Sequence, residues 1–77
     1  MYVLEIETKN KLQKIENPRK PRVVDRIFFD SIQVMDNNGV WHTIWSGIAL
    51  TKAKESKILY DIKSAIKNKD KTIYLDI

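Results

Sequence analysis

The tetrapeptide Asp36-Asn37-Asn38-Gly39 constrains the fold of this chain more than any other stretch, because a β-rich run flanks it on each side. An aspartate at the first turn position bonds back to the loop backbone, asparagine tolerates turn dihedrals, and glycine adopts a left-handed conformation without steric cost. This order favours a three-residue hairpin loop, in which a type I turn is closed by a glycine bulge; the alternative is a two-residue type I′ turn at Asn38-Gly39. The stretch from Arg26 to Ile48 is therefore predicted to contain a β-hairpin.

The choice of turn decides which side chains share a face of the sheet, because side chains alternate along a strand with period two. With the three-residue loop, three cross-strand pairs are expected: Met35 with Trp41, Val34 with His42, and Ile32 with Ile44. One face then carries a candidate binding platform of Phe29, Met35, Trp41 and Trp45. We favour this register and expect the platform to face away from the helix; the alternative is that both tryptophans pack beneath the helix as core.

Hydrophobic periodicity predicts the remaining elements within a single domain, residues 1–77. Residues 2–7 and 72–77 alternate between apolar and polar, which predicts a strand near each end. A one-residue phase shift near Asp30 predicts one long strand over residues 23–35, interrupted by a β-bulge; the alternative is that Phe29 simply points to the other face of the sheet. Apolar residues at three- and four-residue steps predict a helix from Thr51 to about Asn68. Thr51 or Ser56 is the expected N-cap and Asn68 the expected C-cap residue. We therefore expect an α+β fold, a small antiparallel-rich four-stranded sheet (β-β-β-α-β) with one helix packed on one face.

A basic, proline-containing tract at about 9–22 follows the first predicted strand. Asn17-Pro18 and Lys20-Pro21 disfavour helix before each proline, so this tract is predicted to be extended or looped, and we expect a basic loop here. Its cations form the second set of candidate binding residues: Lys9, Lys11, Lys14, Arg19, Lys20 and Arg22. With Glu16 as the only acid in the tract and a net charge of +4 for the whole chain, we expect this loop to attract an anionic partner.

The composition argues against catalytic and metal sites. The chain has no cysteine, which excludes a disulfide framework and a thiolate metal site. A His42–Asp30–Ser46 triad can be drawn across the hairpin, but the sequence around it lacks the base and orienting groups that catalysis needs. Gly39 and Gly47 are the only glycines, too few for a phosphate-binding glycine loop, and the hairpin turn lacks the spaced ligands of a calcium loop. We expect no enzyme activity, cofactor or metal.

These patterns favour a small binding protein that occupies the surface of a protein partner, because the centres of protein interfaces are rich in aromatic residues and poor in charge. The second candidate partner is nucleic acid, bound by the basic loop and the aromatic face. A homodimer would also cover an apolar sheet face. The apolar runs are too short to span a membrane and MYVLEIETKN lacks a signal-peptide pattern, so we expect a cytoplasmic protein without a membrane partner. The lysine-, isoleucine- and asparagine-rich usage is typical of AT-rich genomes, and it favours a phage or mobile-element accessory or inhibitor protein acting in the host cytoplasm.

Overall fold

Two small sheets and one helix make up the fold in the computed structural model, which describes all residues from 1 to 77. The elements follow in the order β1 (Val3–Glu7), β2 (Leu12–Glu16), β3 (Lys20–Asp25), β4 (Phe29–Met35), β5 (Trp41–Ile48), α1 (Lys52–Asn68) and β6 (Thr72–Tyr74). The first sheet has the strand order β2-β1-β6 and the second has the order β3-β4-β5. The predicted α+β class is confirmed, but the predicted single four-stranded sheet is replaced by two three-stranded sheets.

The first sheet is centred on β1, which pairs antiparallel with β2 and parallel with β6. Leu4 and Ile6 of β1 alternate with outward-facing residues and are buried, as the sequence pattern predicts. The predicted C-terminal strand is regular only over Thr72–Tyr74, although the Leu75 N–H still donates to the Glu7 carbonyl oxygen at 2.8 Å. Both predicted terminal strands therefore lie side by side.

The tract predicted as a basic loop, residues 9–22, is corrected by the structure, because most of it is strand. Ile15 of β2 is buried opposite Leu4, and this inward anchor fixes the strand on β1. The charged residues of β2 stand on its outer side, which hides the alternation in the sequence. The chain leaves the first sheet at Asn17, whose φ of 43° is left-handed, and at the buried Pro18. This reorientation creates the second sheet.

The single long strand predicted for residues 23–35 is also wrong, because the chain reverses inside it. The Arg26 N–H donates to the Phe29 carbonyl oxygen at 2.8 Å, and Ile27 and Phe28 form the two-residue loop between β3 and β4. Two-residue hairpin loops usually contain glycine or asparagine at positive φ. This loop contains neither residue type and has no residue at positive φ, so its sequence does not predict a turn.

The predicted three-residue hairpin between β4 and β5 is confirmed. Gly39 has a φ of 82°, and its N–H donates to the Asp36 carbonyl oxygen at 3.2 Å. The Asp36 side-chain Oδ1 accepts from the N–H of Asn38 at 2.8 Å and of Val40 at 3.0 Å. The aspartate therefore organises the turn, while the glycine supplies the left-handed backbone.

A β-bulge in β5 changes the register that the turn sets. Two of the predicted pairs form: Met35 with Trp41 and Val34 with His42. Ile32, however, pairs with Trp45 rather than with Ile44, because Ile44 is the extra, buried residue of the bulge. The bulge thus lies in β5 and not near Asp30 as predicted. Its consequence is that Trp45 turns to the core side of the sheet, away from the face that carries Trp41.

Helix α1 covers the inner side of both sheets through its contacts with β3 and β6. Of the two expected N-cap residues, Thr51 is the one that caps the helix, and its hydroxyl accepts the Lys54 N–H at 3.2 Å. The C-cap is Lys69, with a left-handed φ of 56°, rather than Asn68. Residues from both sheets, the helix and the C-terminal segment form one core: Leu4, Ile6, Ile15, Ile32, Val34, Ile44, Ile58, Ile62, Ala65 and Leu75. No helix in the structure combines the length and the apolar character needed to cross a membrane.

Candidate binding face

One face of the second sheet points away from the core and the helix, and we name it the open face. Residues that oppose one another across antiparallel strands share a face, so the register assigns eleven residues to it: Lys20, Arg22 and Val24 of β3; Phe29, Ser31, Gln33 and Met35 of β4; Trp41, Thr43, Ser46 and Ile48 of β5. None of them is buried. None of them is an aspartate or a glutamate, so the open face carries positive but no negative side chains.

A hydrogen-bonded row of side chains crosses the middle of the open face. The Arg22 Nε donates to the Gln33 Oε1 at 2.8 Å, and the Gln33 Nε2 donates to the Thr43 Oγ1 at 3.1 Å. The Arg22 guanidinium also lies over the Trp41 ring, 3.9 Å from the ring centroid. Such cation–π contacts contribute about 0.5–1 kcal/mol at exposed sites. Arg22 is therefore held both by a hydrogen bond and by an aromatic surface.

Large apolar side chains are concentrated at one end of the open face, around the β3–β4 loop. We name this set the apolar tip; it consists of Ile27 (88% exposed), Phe28 (74%), Phe29 (58%) and Ile48 (78%). Phe29 and Ile48 are cross-strand partners, and the Ala49 N–H donates to the Phe28 carbonyl oxygen at 3.2 Å. Backbone pairing between β4 and β5 and the hydrogen bond from Ala49 therefore hold the tip residues in place. Contiguous exposed apolar side chains of this size mark interaction surfaces in soluble proteins.

The structure separates the four residues of the predicted aromatic platform. Phe29, Met35 and Trp41 stand on the open face, with Met35 and Trp41 half-buried. Trp45 lies on the other side, packs against the core, and covers Gly47 so closely that a Cβ at that glycine would be 2.4 Å from the ring. The placement predicted for Trp45 is therefore wrong, and the bulge at Ile44 is the reason.

The six predicted basic residues are all exposed, but they do not form one loop: Lys9, Lys11, Lys14, Arg19, Lys20 and Arg22. The first three belong to the β1–β2 hairpin of the first sheet, where Lys9 makes a salt bridge of 3.3 Å with Asp76. Arg19 lies in the connection between the sheets. Only Lys20 and Arg22 stand on the open face. Because β2 belongs to the first sheet and β3 to the second, these charges lie on different parts of the molecule.

A carboxylate cluster that no sequence pattern predicted lies at the base of the apolar tip. Carboxylate oxygens of Asp25, Asp30 and Glu55 lie within 4.8 Å of one another, with Asp30 and Glu55 buried. Carboxylate oxygens are the donors that hard cations bind, and the chain also places a lysine beside them. The Lys52 Nζ lies 3.6 Å from the Asp25 Oδ2 and 3.5 Å from the Glu55 Oε2. The cluster therefore joins the base of the tip hairpin to the first turn of α1.

The two buried carboxyl groups of this cluster have opposite electrostatic environments. The Leu50 N–H, which donates to the Asp30 Oδ2 at 2.8 Å, is the main cause that lowers the pKa of Asp30. Burial, followed by hydrogen bonding with Asp30 and Asp25, raises the pKa of Glu55. Asp25, followed by Glu55, raises the pKa of Lys52. The shifts of the two pKa values are therefore opposite in direction: the surroundings stabilise the ionised form of Asp30 and destabilise the ionised form of Glu55.

The residues of the drawn His42–Asp30–Ser46 triad are not brought together. The His42 Nε2 lies 2.8 Å from the Asp36 Oδ2, and this hydrogen bond is the main cause that lowers the pKa of Asp36. The Ser46 hydroxyl instead bonds the Ser31 hydroxyl on the open face at 3.0 Å. His42 opposes the buried Val34 and therefore belongs to the core side.

Two shallow grooves lie away from the open face. One, of about 590 Å³, runs beside β1 and is lined in part by Tyr2, Glu5, Lys14, Lys69 and Lys71. The Lys69 Nζ lies 4.8 Å from the centroid of the Tyr2 ring. The other groove, of about 500 Å³, lies between α1 and the C-terminal segment. The first groove is the more basic of the two, because three lysines and one glutamate line it.

The features that sequence reasoning missed depend on the unpredicted β3–β4 reversal. Ile27, Phe28 and Phe29 are consecutive, and three consecutive side chains of one strand cannot all point into a core. This run was the signal available for an exposed tip. The stacking of Arg22 on Trp41 had no local signal, because it joins the two edge strands of the second sheet. No protein-family model, curated protein or solved structure matches this chain.

Proposed function

We propose that this chain is a non-enzymatic binding protein that occupies the surface of a protein partner through the open face and the apolar tip. The exposure of the four tip side chains, from 58% to 88%, supports this proposal most strongly. Fully burying a side chain of this size contributes about 1.5–3 kcal/mol. A partner that covers the tip therefore gains a substantial part of its binding free energy from this one place.

The composition of the rest of the open face also supports a protein partner. Trp41, Arg22 and Met35 belong to residue types that are enriched at protein interfaces. The polar side chains between them already bond one another, as Gln33 does with Thr43, so covering them leaves few unpaired groups. Lys20 and Arg22 give the face a positive charge that speeds encounters with an anionic surface.

This proposal includes a cytoplasmic location and a role as an accessory or inhibitor protein of a phage or mobile element. An inhibitor that acts by occupying its partner's surface needs only to bind that surface and to keep the partner's other ligands away from it. Self-association through the apolar tip would cover the same side chains. Sedimentation of the purified chain at increasing concentration distinguishes a self-associating chain from a monomer that awaits another protein.

Capture from a lysate of the cells in which the chain is made, with and without nuclease, tests the proposal. The informative variant is the double substitution Phe28→Ser and Ile48→Ser, which removes two of the four apolar tip side chains without touching the core. The matched control is Tyr60→Ser, because Tyr60 is also a large exposed side chain, 70% exposed, but lies on α1. We expect wild type and the Tyr60 variant to retain a nuclease-resistant protein and the tip variant to lose it. Equal retention by the tip variant would contradict the proposal.

Nucleic acid is the second candidate partner, favoured by the lysines of the groove beside β1. Lys14, Lys69 and Lys71 line it together, opposed there by Glu5 alone. If they contact phosphates, the affinity for an oligonucleotide falls with salt, and replacing Lys69 and Lys71 by alanine reduces the log–log slope by roughly two. A mobility shift that is absent at low salt for both single- and double-stranded probes removes this candidate.

A further inference from the structure

Arg22 is the one side chain of the open face that the fold holds in place without pairing its charge. Its Nε–H donates a hydrogen bond to Gln33, and the Gln33 side chain donates in turn to the Thr43 hydroxyl. The Trp41 ring supports one side of the guanidinium at 3.9 Å. The carboxylates that form salt bridges in this structure do so with other cations, and none pairs with Arg22.

The remaining donors of Arg22 are available to a partner. A guanidinium has five N–H donors, and the bond to Gln33 uses the one on Nε. The other four lie on the two terminal nitrogens, in a planar fork that matches the two oxygens of a carboxylate. Because the side chain is already ordered in the free protein, binding there loses less rotamer freedom than binding to a free arginine.

We infer that Arg22 is a preorganised receptor for a carboxylate, and that the protein covering the open face presents an aspartate or glutamate to it. This inference rests on the function proposed above and specifies the chemistry of the partner. It follows from charge complementarity, because the eleven residues of the open face include Lys20 and Arg22 but no carboxylate. An acidic surface is the one that such a face attracts.

A carboxylate fits this position better than the phosphates of a nucleic acid. The guanidinium lies over the Trp41 ring and hinders a base from stacking on that side. Among the eleven residues of the open face, Lys20 is the only other cation, whereas nucleic-acid affinity usually depends on many phosphate contacts. The apolar tip at the end of the same face cannot pair with charged phosphates, whereas apolar side chains are typical of the centre of a protein interface.

The test separates Arg22 from the apolar tip by using a probe that has no apolar side chain. A ten-residue peptide of alternating glutamate and serine is titrated into the ¹⁵N-labelled protein, and the Nε–Hε resonance of Arg22 is followed by NMR. A ten-nucleotide single-stranded DNA and inorganic phosphate are titrated in parallel. The variants are Arg22→Lys, which keeps the charge but loses the fork and the stacking, and Gln33→Leu, which releases the Nε–H. Lys20→Arg is the matched control, because it also exchanges one cation for another on the same face.

We expect the peptide to move the Arg22 resonance in a saturable way and to bind Arg22→Lys about five- to tenfold more weakly, since a lysine cannot form the planar fork. Peptide affinities, measured for every variant from backbone amide shifts, should fall for Gln33→Leu and stay within about twofold of wild type for Lys20→Arg. Circular dichroism confirms that each variant is folded. An unmoved resonance, equal affinity of wild type and Arg22→Lys, or tighter binding of DNA than of peptide overturns the inference. These outcomes leave the capture result for the apolar tip unchanged, so the two proposals fail separately.

Discussion

Substituting Gly47 by alanine tests how Trp45 is packed, which is where the sequence-based register failed. A Cβ at this glycine would lie 2.4 Å from Cζ2 and 2.9 Å from Cη2 of the Trp45 ring, whereas ordinary contact begins at 3.4 Å. The indole must therefore move by about 1 Å at its closest point. Gly47 has no positive φ, so the backbone itself accepts alanine.

The magnitude follows from two opposing effects. Overpacking of this kind costs about 1–3 kcal/mol, while replacing a glycine inside a strand returns about 0.5–1 kcal/mol. We expect a net loss of about 1–2 kcal/mol, because the ring that must move packs against the core. In a domain of this size, that loss lowers the melting temperature by roughly 4–16 °C, measured by circular dichroism.

A second background tells a ring clash from a general intolerance of the site. In Trp45→Leu, the ring that meets the new Cβ is gone, so Gly47→Ala should cost less than about 0.5 kcal/mol there, and the two substitutions should couple strongly. An unchanged melting temperature in the wild-type background would refute the packing of Trp45 over Gly47. So would an equal loss in both backgrounds.

Three further predictions concern the turn, the cluster and the two sides of the second sheet. Gly39→Ala should cost about 1 kcal/mol in urea unfolding, all of it from the positive φ of 82°, because the added Cβ meets nothing within 4 Å; an unchanged midpoint would count against the turn. Burial, then Asp30 and Asp25, raise the pKa of Glu55 above its ordinary 4.5, so the folded chain binds that proton more tightly than the unfolded chain. Stability should therefore fall as the pH rises from 4.5 through the folded-state pKa, and Glu55→Gln should remove this fall; parallel melting profiles against pH would contradict it. Trp41→Ala should keep near-native circular dichroism and lose about 1 kcal/mol or less, whereas Ile62→Ala, at a fully buried position, should lose about 2–5 kcal/mol in the same unfolding assay; the opposite order would contradict the assignment of the two sides.

The sequence predicted those parts of the fold that depend on local chemistry. The turn at Gly39 and the N-cap at Thr51 each have a residue whose side chain or missing side chain determines the backbone, and both are confirmed. The α+β class followed from periodicity. The prediction of a loop over residues 9–22 was wrong because β2 carries charges on its outer side. These charges masked the single buried apolar residue of the strand, Ile15. The β3–β4 reversal had no turn residue to signal it.

The candidate site was predictable only where it depended on the hairpin. Met35 and Trp41 follow from the turn register, so their place on the open face could be predicted. Trp45 could not be placed, because the bulge at Ile44 depends on how β5 pairs and packs rather than on any residue beside it. The neighbours of Arg22 on the open face come from β4 and β5, and periodicity along one strand carries no information about them.

Site-specific photocrosslinking in living cells tests the proposed contact between a protein partner and the apolar tip with the open face. A photoreactive phenylalanine analogue replaces Phe28 in one chain and Tyr60 in another, since both side chains are exposed but only Phe28 belongs to the tip. We expect a discrete, nuclease-resistant protein adduct from position 28 and none from position 60. Equal adducts from both positions, an adduct that nuclease removes, or no adduct from position 28 would contradict it.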